Sequence, residues 1–233
     1  MNIEDFKNGQ VLVIDKPLNW TSFQVVNKIR WRIRKKFKIK KIKVGHAGTL
    51  DPLATGILII CTGKQTKKII EYQAERKEYT GTITLGGTTP SFDLETEVNK
   101  FYPIDHITKQ NLQEAAASFV GKIEQKPPLY SALKKDGVRL YHLARKGEQV
   151  EINAREVEIF AFEITDISMP VISFRIECSK GTYIRSIAND FGEKLNSGGH
   201  LSSLRRTKSG SFTIESASTL EGFLDELGHE TMT

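Results

Sequence analysis

The stretch GHAGTLDPLATG, residues 45–56, is the most informative part of this chain. Its three glycines and one proline within twelve residues predict a loop whose backbone conformation is closely specified. Its one carboxylate, Asp51, precedes Pro52, and a residue before proline is biased toward extended geometry. Because an arbitrary Asp-Pro pair usually caps a turn, the loop alone predicts an ordered segment and leaves its chemistry open.

Regular elements are predicted on both sides of this loop from the spacing of apolar residues. The predicted strands cover residues 11–15, 56–60, 79–85, 157–167 and 171–178. The predicted helices cover residues 64–74, 109–120 and 182–195, and another follows the cap at Thr21-Ser22. Residues 44–55 and 88–106 are expected to be irregular. Strands with helices between them, without a regular βαβ repeat, predict an α+β fold.

The composition is that of a soluble globular protein with excess positive charge. Of the 233 residues, 39% are hydrophobic and 27% are charged, and the net charge is +6. A basic balance favours a polyanionic partner, although net charge alone is a weak indicator. The longest apolar stretch, residues 56–61, has the length of a strand and is too short to span a membrane.

Two cysteines, Cys61 and Cys178, lie far apart and form no CxxC motif. A zinc site and a disulfide framework are therefore not expected, and no metal or cofactor is predicted. The N-terminus lacks the basic and apolar regions of a signal peptide. Two free thiols and the absence of a leader indicate a cytoplasmic protein.

Basic residues are concentrated in two segments. Ten of the sixteen residues 28–43 are Lys or Arg, and Trp31, Ile33 and Phe37 are expected to anchor part of this basic run against the body of the protein. Residues 127–147 are polar, basic and rich in turns, which predicts a protruding insertion. A charge run is usually a solvated surface, whereas contacts with the phosphates of a polyanionic partner would supply affinity without reading sequence.

Taken in order, these segments resemble the TruB family of tRNA pseudouridine synthases. Residues 45–56 match every fixed position of the family signature GHxGxLDPxATG. Residues 16–22 resemble its KPxGxTS segment, with Asn19 in place of the usual glycine. Further matches cover nearly the whole chain and comprise Tyr79 and residues 128–134, 178–185 and 200–207.

The resemblance implies the pseudouridine synthase fold, with a central mixed or antiparallel sheet, flanking helices and a thumb-like RNA-binding insertion at about residues 121–147. It implies a single catalytic domain over residues 1–233 without a PUA domain. The implied activity is isomerisation of uridine 55 in the tRNA T loop to pseudouridine, by base flipping and covalent catalysis. A monomer is expected, with the tRNA T stem-loop as its partner and without cofactor, guide RNA, membrane or obligatory protein partner.

The resemblance also implies the roles of individual residues. Asp51 is the implied catalytic nucleophile, attacking either the ribose C1′ or the base. Arg185 would orient the Asp51 carboxylate through two hydrogen bonds, and Tyr79 would stack on the uracil near the C5 proton. His46 would stack in the space that the flipped base leaves, and Leu204 would pack on the target base.

Weaker assignments concern RNA binding. The residues expected to contact RNA are Lys16, Lys35, Lys36, Lys134 and Arg145. Two alternatives are a non-catalytic RNA-binding or tRNA-folding module and a guide-RNA-dependent synthase of the archaeal and eukaryotic branch. The presence of the carboxylate, tyrosine and arginine disfavours the first, and the expected absence of a PUA domain disfavours the second.

Overall fold

The computed structural model describes residues 2–131, 133–135, 137–146 and 150–228, without the side chains of residues 134, 135, 139 and 145. Its α-helices are α1 (Ile3–Asn8), α2 (Ser22–Lys36), α3 (Ile69–Ala74), α4 (Lys109–Ala117), α5 (Leu140–Arg145), α6 (Ile184–Lys194) and α7 (Leu220–Gly228). Short 3-10 helices lie at Gly63–Lys68 and Ile214–Ser216. Within the described ranges, no helix is long and apolar enough to cross a membrane.

The strands pair in both parallel and antiparallel directions. They are β1 (Val11–Lys16), β2 (Val44–Ala47), β3 (Ala54–Thr62), β4 (Lys77–Leu85), β5 (Gly87–Thr88), β6 (Lys100–Phe101), β7 (Gly121–Gln125), β8 (Lys134–Lys135), β9 (Val138–Arg139), β10 (Arg155–Ser168), β11 (Val171–Cys178), β12 (Gly199–Ser209), β13 (Phe212–Thr213) and β14 (Ser218–Thr219). The predicted α+β class with a mixed sheet is confirmed.

The chain divides into two units. The first comprises Met1–Tyr79 and Leu204–Thr233, and the second comprises Thr80–Ser203. Because the boundaries fall inside β4 and β12, these two strands contribute residues to both units.

Strand β3 is the central strand of the first unit. It pairs with β1 and β2 in antiparallel fashion and with β12 in parallel, and β14 lies beyond β1. Its sequence ATGILIICT is an almost continuous apolar run, as expected of a strand that is covered on both faces. Leu58 and Ile60 enter one buried cluster, whereas Ile57, Ile59 and Cys61 enter another.

Helix α2 covers the first of these clusters. Thr21 and Gln24 form a capping box, in which each side chain accepts the backbone N–H of the other. Ile29 and Ile33 are fully buried at helical spacing, so the expected anchoring by Ile33 is confirmed. The expectation for Trp31 was wrong, because its side chain is 50% exposed on the opposite side of the helix.

The second unit is built on the long antiparallel pair β10 and β11, with β7 beside β10 and β4 beside β11. Helix α6 contributes to its core, where four phenylalanine rings pack with centroids 5.3–6.3 Å apart: Phe119, Phe162, Phe174 and Phe191. Strand β7 places Gly121–Gln125, the first residues of the predicted insertion, in the sheet. Strands β8 and β9 then form a short hairpin before α5.

Several strands lie where none was predicted, and β2 and β12 are the two that bear on the site. Strand β2 occupies part of the expected loop because Val44–Ala47 pair with β3, although their sequence carries no alternation of apolar residues. Strand β12 was missed because its sequence GHLSSLRRTKS is mostly polar. Pairing with neighbouring strands, rather than local propensity, determines both elements.

Gly56 allows β12 to approach β3 closely. Its φ is +98°, a conformation that disfavours any side chain, and a Cβ added there would lie 2.3 Å from the carbonyl oxygen of Arg206. Gly121 also has a positive φ, +106°, but an added Cβ would meet nothing within 4 Å. The two glycines therefore share a backbone requirement and differ in the space available.

We expect Gly56→Ala to destabilise the protein more than Gly121→Ala. The unfavourable φ should cost about 1–2 kcal/mol at either position, and the clash with the Arg206 backbone should add about 1–3 kcal/mol at Gly56. Denaturant unfolding of both variants measures this difference in unfolding free energy. Equal losses would mean that β12 can move away from Gly56 at no cost.

Candidate active site

The Asp51 loop, residues 48–53, joins β2 to β3 and is fixed on both sides of the carboxylate. Ser22 Oγ, buried at the start of α2, accepts the N–H of Leu50 at 2.9 Å and donates to the Leu50 carbonyl at 3.0 Å. The carbonyl oxygen of Asp51 accepts the N–H of Ala54 at 3.1 Å. These bonds restrict the backbone that carries the carboxylate, so its position is set before any ligand binds.

Lys16, at the end of β1, binds the same loop from inside the protein. Its side chain has no exposed area, and Nζ donates to the carbonyls of Pro17 at 2.9 Å, Trp20 at 2.6 Å and Pro52 at 3.4 Å. Three acceptors match the three donors of an ammonium group. Burial lowers the pKa of Lys16 to about 8, although the nearby Asp51 carboxylate acts to raise it.

The expected RNA contact of Lys16 is corrected by this burial. An ammonium that is enclosed and bound to three backbone carbonyls cannot reach a phosphate at the surface. The adjacent turn also contributes to the loop, because the N–H of Asn19 donates to the Pro52 carbonyl at 2.8 Å. Asn19 has φ of 64°, so it adopts the left-handed conformation that the substitution for glycine predicted.

Arg206 is a second buried cation that binds the loop. It is 1% exposed, and its guanidinium donates from Nε to the Ile57 carbonyl at 2.7 Å and from Nη2 to the Gly48 carbonyl at 3.0 Å. One side chain thereby joins the Gly48 carbonyl at the start of the loop to the Ile57 carbonyl in β3. Lys16 and Arg206 together place positive charge next to the Asp51 loop, which favours an anion there.

The neighbouring Arg205 points to the other face of β12 and forms a two-pronged pair with Asp15. Its Nη1 and Nη2 lie 3.1 and 2.6 Å from the two carboxylate oxygens, and Nη1 also donates to Thr55 Oγ1 at 3.3 Å. Asp15 Oδ1 in turn accepts the N–H of Gly56 at 3.1 Å. This partly exposed network fixes the start of β3, immediately after the loop.

His46 lies on β2, opposite Ile60 of β3. Burial and the nearby Arg206 guanidinium lower the pKa of His46, so its imidazole is neutral at physiological pH. A neutral ring suits stacking better than ion pairing. Among the described residues, no three His, Cys, Asp or Glu side chains are grouped to hold a metal ion.

Tyr79 and Leu204 occupy strands of the first unit. Tyr79 is 8% exposed on β4, and Leu204 is partly exposed on β12, where it pairs with Ala54 at the end of the Asp51 loop. The parallel pairing therefore places the predicted base-packing residue opposite Ala54, which follows Asp51 by three residues in the chain. The catalytic and base-contacting roles of these residues stay predictions.

Arg185 lies in the second unit, on α6, and is held by several groups there. It is 3% exposed, and it donates from Nη1 to the Ser91 carbonyl at 3.2 Å and from Nη2 to the Tyr130 carbonyl at 2.9 Å. Its Nε lies 3.6 Å from Oδ2 of the buried Asp93. The guanidinium plane is therefore fixed before any substrate arrives.

The segment that presents Asp93 to Arg185 was not identified from the sequence. Thr89 and Ser91 donate their hydroxyls to the Asp93 carbonyl at 2.7 and 3.1 Å, and Glu95 N–H donates to Asp93 Oδ1 at 3.0 Å. Phe92 has φ of 64°, in the left-handed region. This segment falls inside the range predicted to be irregular, and its many short polar residues were the one available signal.

The remaining predicted RNA-binding residues differ in what the structure describes. Lys35 is exposed on α2, and Lys36 is partly exposed, with Nζ 5.7 Å from the centroid of the Phe37 ring. Lys134 and Arg145 lie in β8 and α5, but their side chains are outside the described part of the chain.

Arg205 and Arg206 were missed although both lie in a segment that matched the family. Successive side chains of a strand point to opposite faces, so adjacent arginines in a strand imply one buried guanidinium. No strand was predicted there, and the inference could not be made from the sequence.

Comparisons with known proteins agree with this architecture. The model described as TruB family pseudouridylate synthase (N terminal domain) matches residues 34–184, and that described as tRNA pseudouridylate synthase B C-terminal domain matches residues 185–232. The tRNA pseudouridine synthase B of Flavobacterium johnsoniae is 56% identical over 228 residues, which cover 97% of this chain and 100% of that protein. The protein of the same name from Phocaeicola vulgatus is 55% identical over 226 residues, which cover 97% and 96%.

A solved structure of a Cbf5–Nop10–Gar1 complex is also similar, with a TM-score of 0.72 and 29% identity. The match covers 97% of this chain and 58% of that chain, so this chain spans somewhat more than half its length. Fold and sequence together define a pseudouridine synthase, an enzyme that isomerises uridine in RNA. Within that class the chain belongs to the TruB family, as its motifs predicted.

The buried Lys16 should make stability depend on pH in a defined window. Its folded pKa of about 8 lies below the ordinary 10.5, so between these values the unfolded chain binds more protons. The contribution of Lys16 to the unfolding free energy should therefore rise with pH, by up to about 1.4 kcal/mol per unit.

We expect the difference in unfolding free energy between wild type and Lys16→Met to shift by about 2 kcal/mol in favour of wild type from pH 8 to pH 10. Denaturant unfolding at several pH values measures this difference, and the variant accounts for all other titrating groups. A difference that does not change with pH would mean that the three carbonyls keep Lys16 charged throughout.

Proposed function

We propose that this protein isomerises uridine 55 in the T loop of tRNA to pseudouridine, with Asp51 as the covalent nucleophile. The observation that carries the proposal is the Asp51 loop, in which buried Lys16 and Arg206 and the Ser22 hydroxyl fix the backbone around one carboxylate. The names of the Flavobacterium and Phocaeicola relatives support tRNA as the substrate.

The proposed reaction needs a nucleophile and proton transfers, and no redox change. The bond from uracil N1 to ribose C1′ breaks while the Asp51 carboxylate holds the intermediate covalently. The base turns, C5 bonds to C1′, and the bond to Asp51 breaks, which restores the carboxylate. The C5 proton leaves and N1 gains a proton. In this proposal Tyr79 stacks on the uracil near C5, Leu204 packs on the same base, and His46 stacks in the space that the flipped base leaves.

Recognition of a folded T arm calls for contact with many phosphates. The exposed lysines of the basic run, among them Lys35, lie in the same unit as Asp51 and supply such contacts. The insertion after β7 carries further basic residues. We propose that these protein surfaces hold the T arm directly, without a guide RNA or an obligatory protein partner, and that the enzyme acts as a monomer.

Purified protein incubated with an unmodified tRNA transcript or a T-arm minihelix tests this function. We expect release of tritium from 5-tritiated uridine and one pseudouridine, at position 55, in both RNAs. Asp51→Asn should lower turnover by at least about a thousandfold and leave tRNA affinity nearly unchanged, because an amide cannot serve as the nucleophile.

The matched control is Asp225→Asn, which removes an exposed carboxylate on α7 in the same unit. Its turnover should equal that of wild type. Appreciable turnover by Asp51→Asn would reject the nucleophile, and pseudouridine at another position, or in no RNA without added factors, would reject the proposed substrate.

For Arg185 we propose the role of orienting the Asp51 carboxylate. Its support is the match of residues 178–185 to the family, and the bonds to the Ser91 and Tyr130 carbonyls with the nearby Asp93 hold the guanidinium plane in one orientation. We expect Arg185→Lys to lower the turnover number at least about a hundredfold with little change in tRNA affinity, because an ammonium cannot reproduce the planar fork.

Arg175→Lys is the control for this exchange. Arg175 forms a partly exposed ion pair with Glu163 on the β10–β11 pair, and such pairs contribute little to stability. Its turnover should be close to that of wild type. A similar rate for Arg185→Lys would show that a positive charge is sufficient at that position.

A further inference from the structure

Helix α2 divides the basic run into a structural part and a free part. Arg30 donates to Asn27 Oδ1 and to the Val44 carbonyl, both at 2.7 Å, and Arg32 donates to the Leu224 carbonyl at 3.3 Å. These two guanidinium groups bind the protein's own oxygens and tie α2 to β2 and α7. They are therefore not the part of the run that is available to a ligand.

Helix α2 also carries aromatic rings in contact with solvent. Phe23 is 63% and Trp31 50% exposed, although both are large apolar side chains. Residues three and four apart share a helix face, so Lys28, Trp31 and Lys35 line one side of α2, and Phe23 lies eight residues before Trp31. The ammonium groups of Lys28 and Lys35 lie 5.4 and 5.0 Å from the centroid of the Trp31 ring. This set is called the α2 face: Phe23, Lys28, Trp31 and Lys35.

The segment that carries the α2 face has charge of one sign. No aspartate or glutamate occurs in the sequence between Asp15 and Asp51, and α2 itself has none in its first turn. A positively charged surface with protruding aromatic rings is the composition that binds unpaired nucleotides, since rings stack on bases and cations contact phosphates. An apolar protein partner would not use the lysines, and an acidic peptide would not use the rings.

The α2 face begins next to the proposed active site. Ser22, the residue before Phe23, makes both hydrogen bonds to Leu50, which directly precedes Asp51. From Phe23 the helix rises about 12 Å to Trp31, the span of a few nucleotides. An RNA strand held at Asp51 can therefore continue along α2.

We propose that the α2 face binds unpaired nucleotides of the tRNA substrate, with Trp31 and Phe23 stacking on bases and Lys28 and Lys35 contacting phosphates. In the free protein the two lysines lie near the Trp31 ring. When RNA binds, a base takes a place on the ring and the ammonium groups move to phosphates, so a cation–π contact is exchanged for stacking and an ion pair. This inference rests on the proposed function for the identity of the RNA, and it adds a specific contact outside the catalytic loop.

Binding of an unmodified tRNA transcript to variants of the full chain tests the inference. We expect Trp31→Ala to weaken binding roughly tenfold and Trp31→Phe to restore most of it, because the aromatic face is what stacks. The turnover number at saturating tRNA should stay unchanged. Lys28→Gln with Lys35→Gln should lower the slope of log affinity against log salt by somewhat under one unit for each lost contact.

Tryptophan fluorescence provides a direct readout. Trp20 emits in both wild type and Trp31→Phe, so the difference between their spectra is the emission of Trp31. We expect tRNA to quench this difference. The control is Phe101→Ala, which removes a 79% exposed ring from β6 in the second unit and should not alter affinity.

If the variants keep the affinity and the salt slope of wild type, and tRNA does not quench the Trp31 emission, the proposal is overturned. The α2 face is then a solvated surface. A shift in oligomeric state by light scattering for Trp31→Ala, without a change in RNA affinity, would overturn it in favour of contact between two copies. Binding is measured in the wild-type and Asp51→Asn backgrounds. Failure of the proposed chemistry would appear as turnover by Asp51→Asn, whereas failure of this inference would appear in affinity alone.

Discussion

The binding of backbone carbonyls by two buried cations is the constraint on which the Asp51 loop depends. A loop outside helix and sheet has carbonyl oxygens without regular partners, and burying them unpaired is costly. Lys16 and Arg206 supply several donors each and bind the loop at Pro52 and Gly48, and Arg206 also binds Ile57 in the following strand β3. Their desolvation is expensive, but Lys16 uses all three of its donors and Arg206 binds two carbonyls, which apolar substitutes would leave unsatisfied.

The sequence predicted the elements whose hydrophobic pattern is local. Strand β3 is an apolar run that is buried on both faces. Helix α2 is indicated by the Thr21 cap and by apolar residues at helical spacing, among them Ile29 and Ile33. Strands β2 and β12 were missed because their residues become strands through pairing with β3 and not through their own propensity. The failure to predict the polar strand β12 had the larger effect on the site, because β12 carries Leu204, Arg205 and Arg206.

The candidate site divides in the same way. Asp51 was predicted from a dense local motif, whereas the side chains that hold its loop come from distant parts of the chain. Ser22 binds Leu50 across 28 residues, and Arg206 binds Gly48 across 158 residues. A single sequence contains no signal for such pairings until the strands are placed. A resemblance to a family can name the carboxylate without naming what holds it, because the holding groups are defined by geometry.

Basic side chains in this protein either bind backbone carbonyls or stay exposed for contact with RNA. Which of the two applies depends on whether the side chain is removed from water. Where a side chain can be enclosed with all its donors bound, as Lys16 is, it orders backbone and is lost to ligands. Along α2 the helical period sends Arg30 and Arg32 toward carbonyls of neighbouring elements and leaves Lys28 and Lys35 in water beside Trp31. A dense run of Lys and Arg therefore overstates the surface available to RNA, and the helix period, more than the number of charges, determines which of them a phosphate can reach.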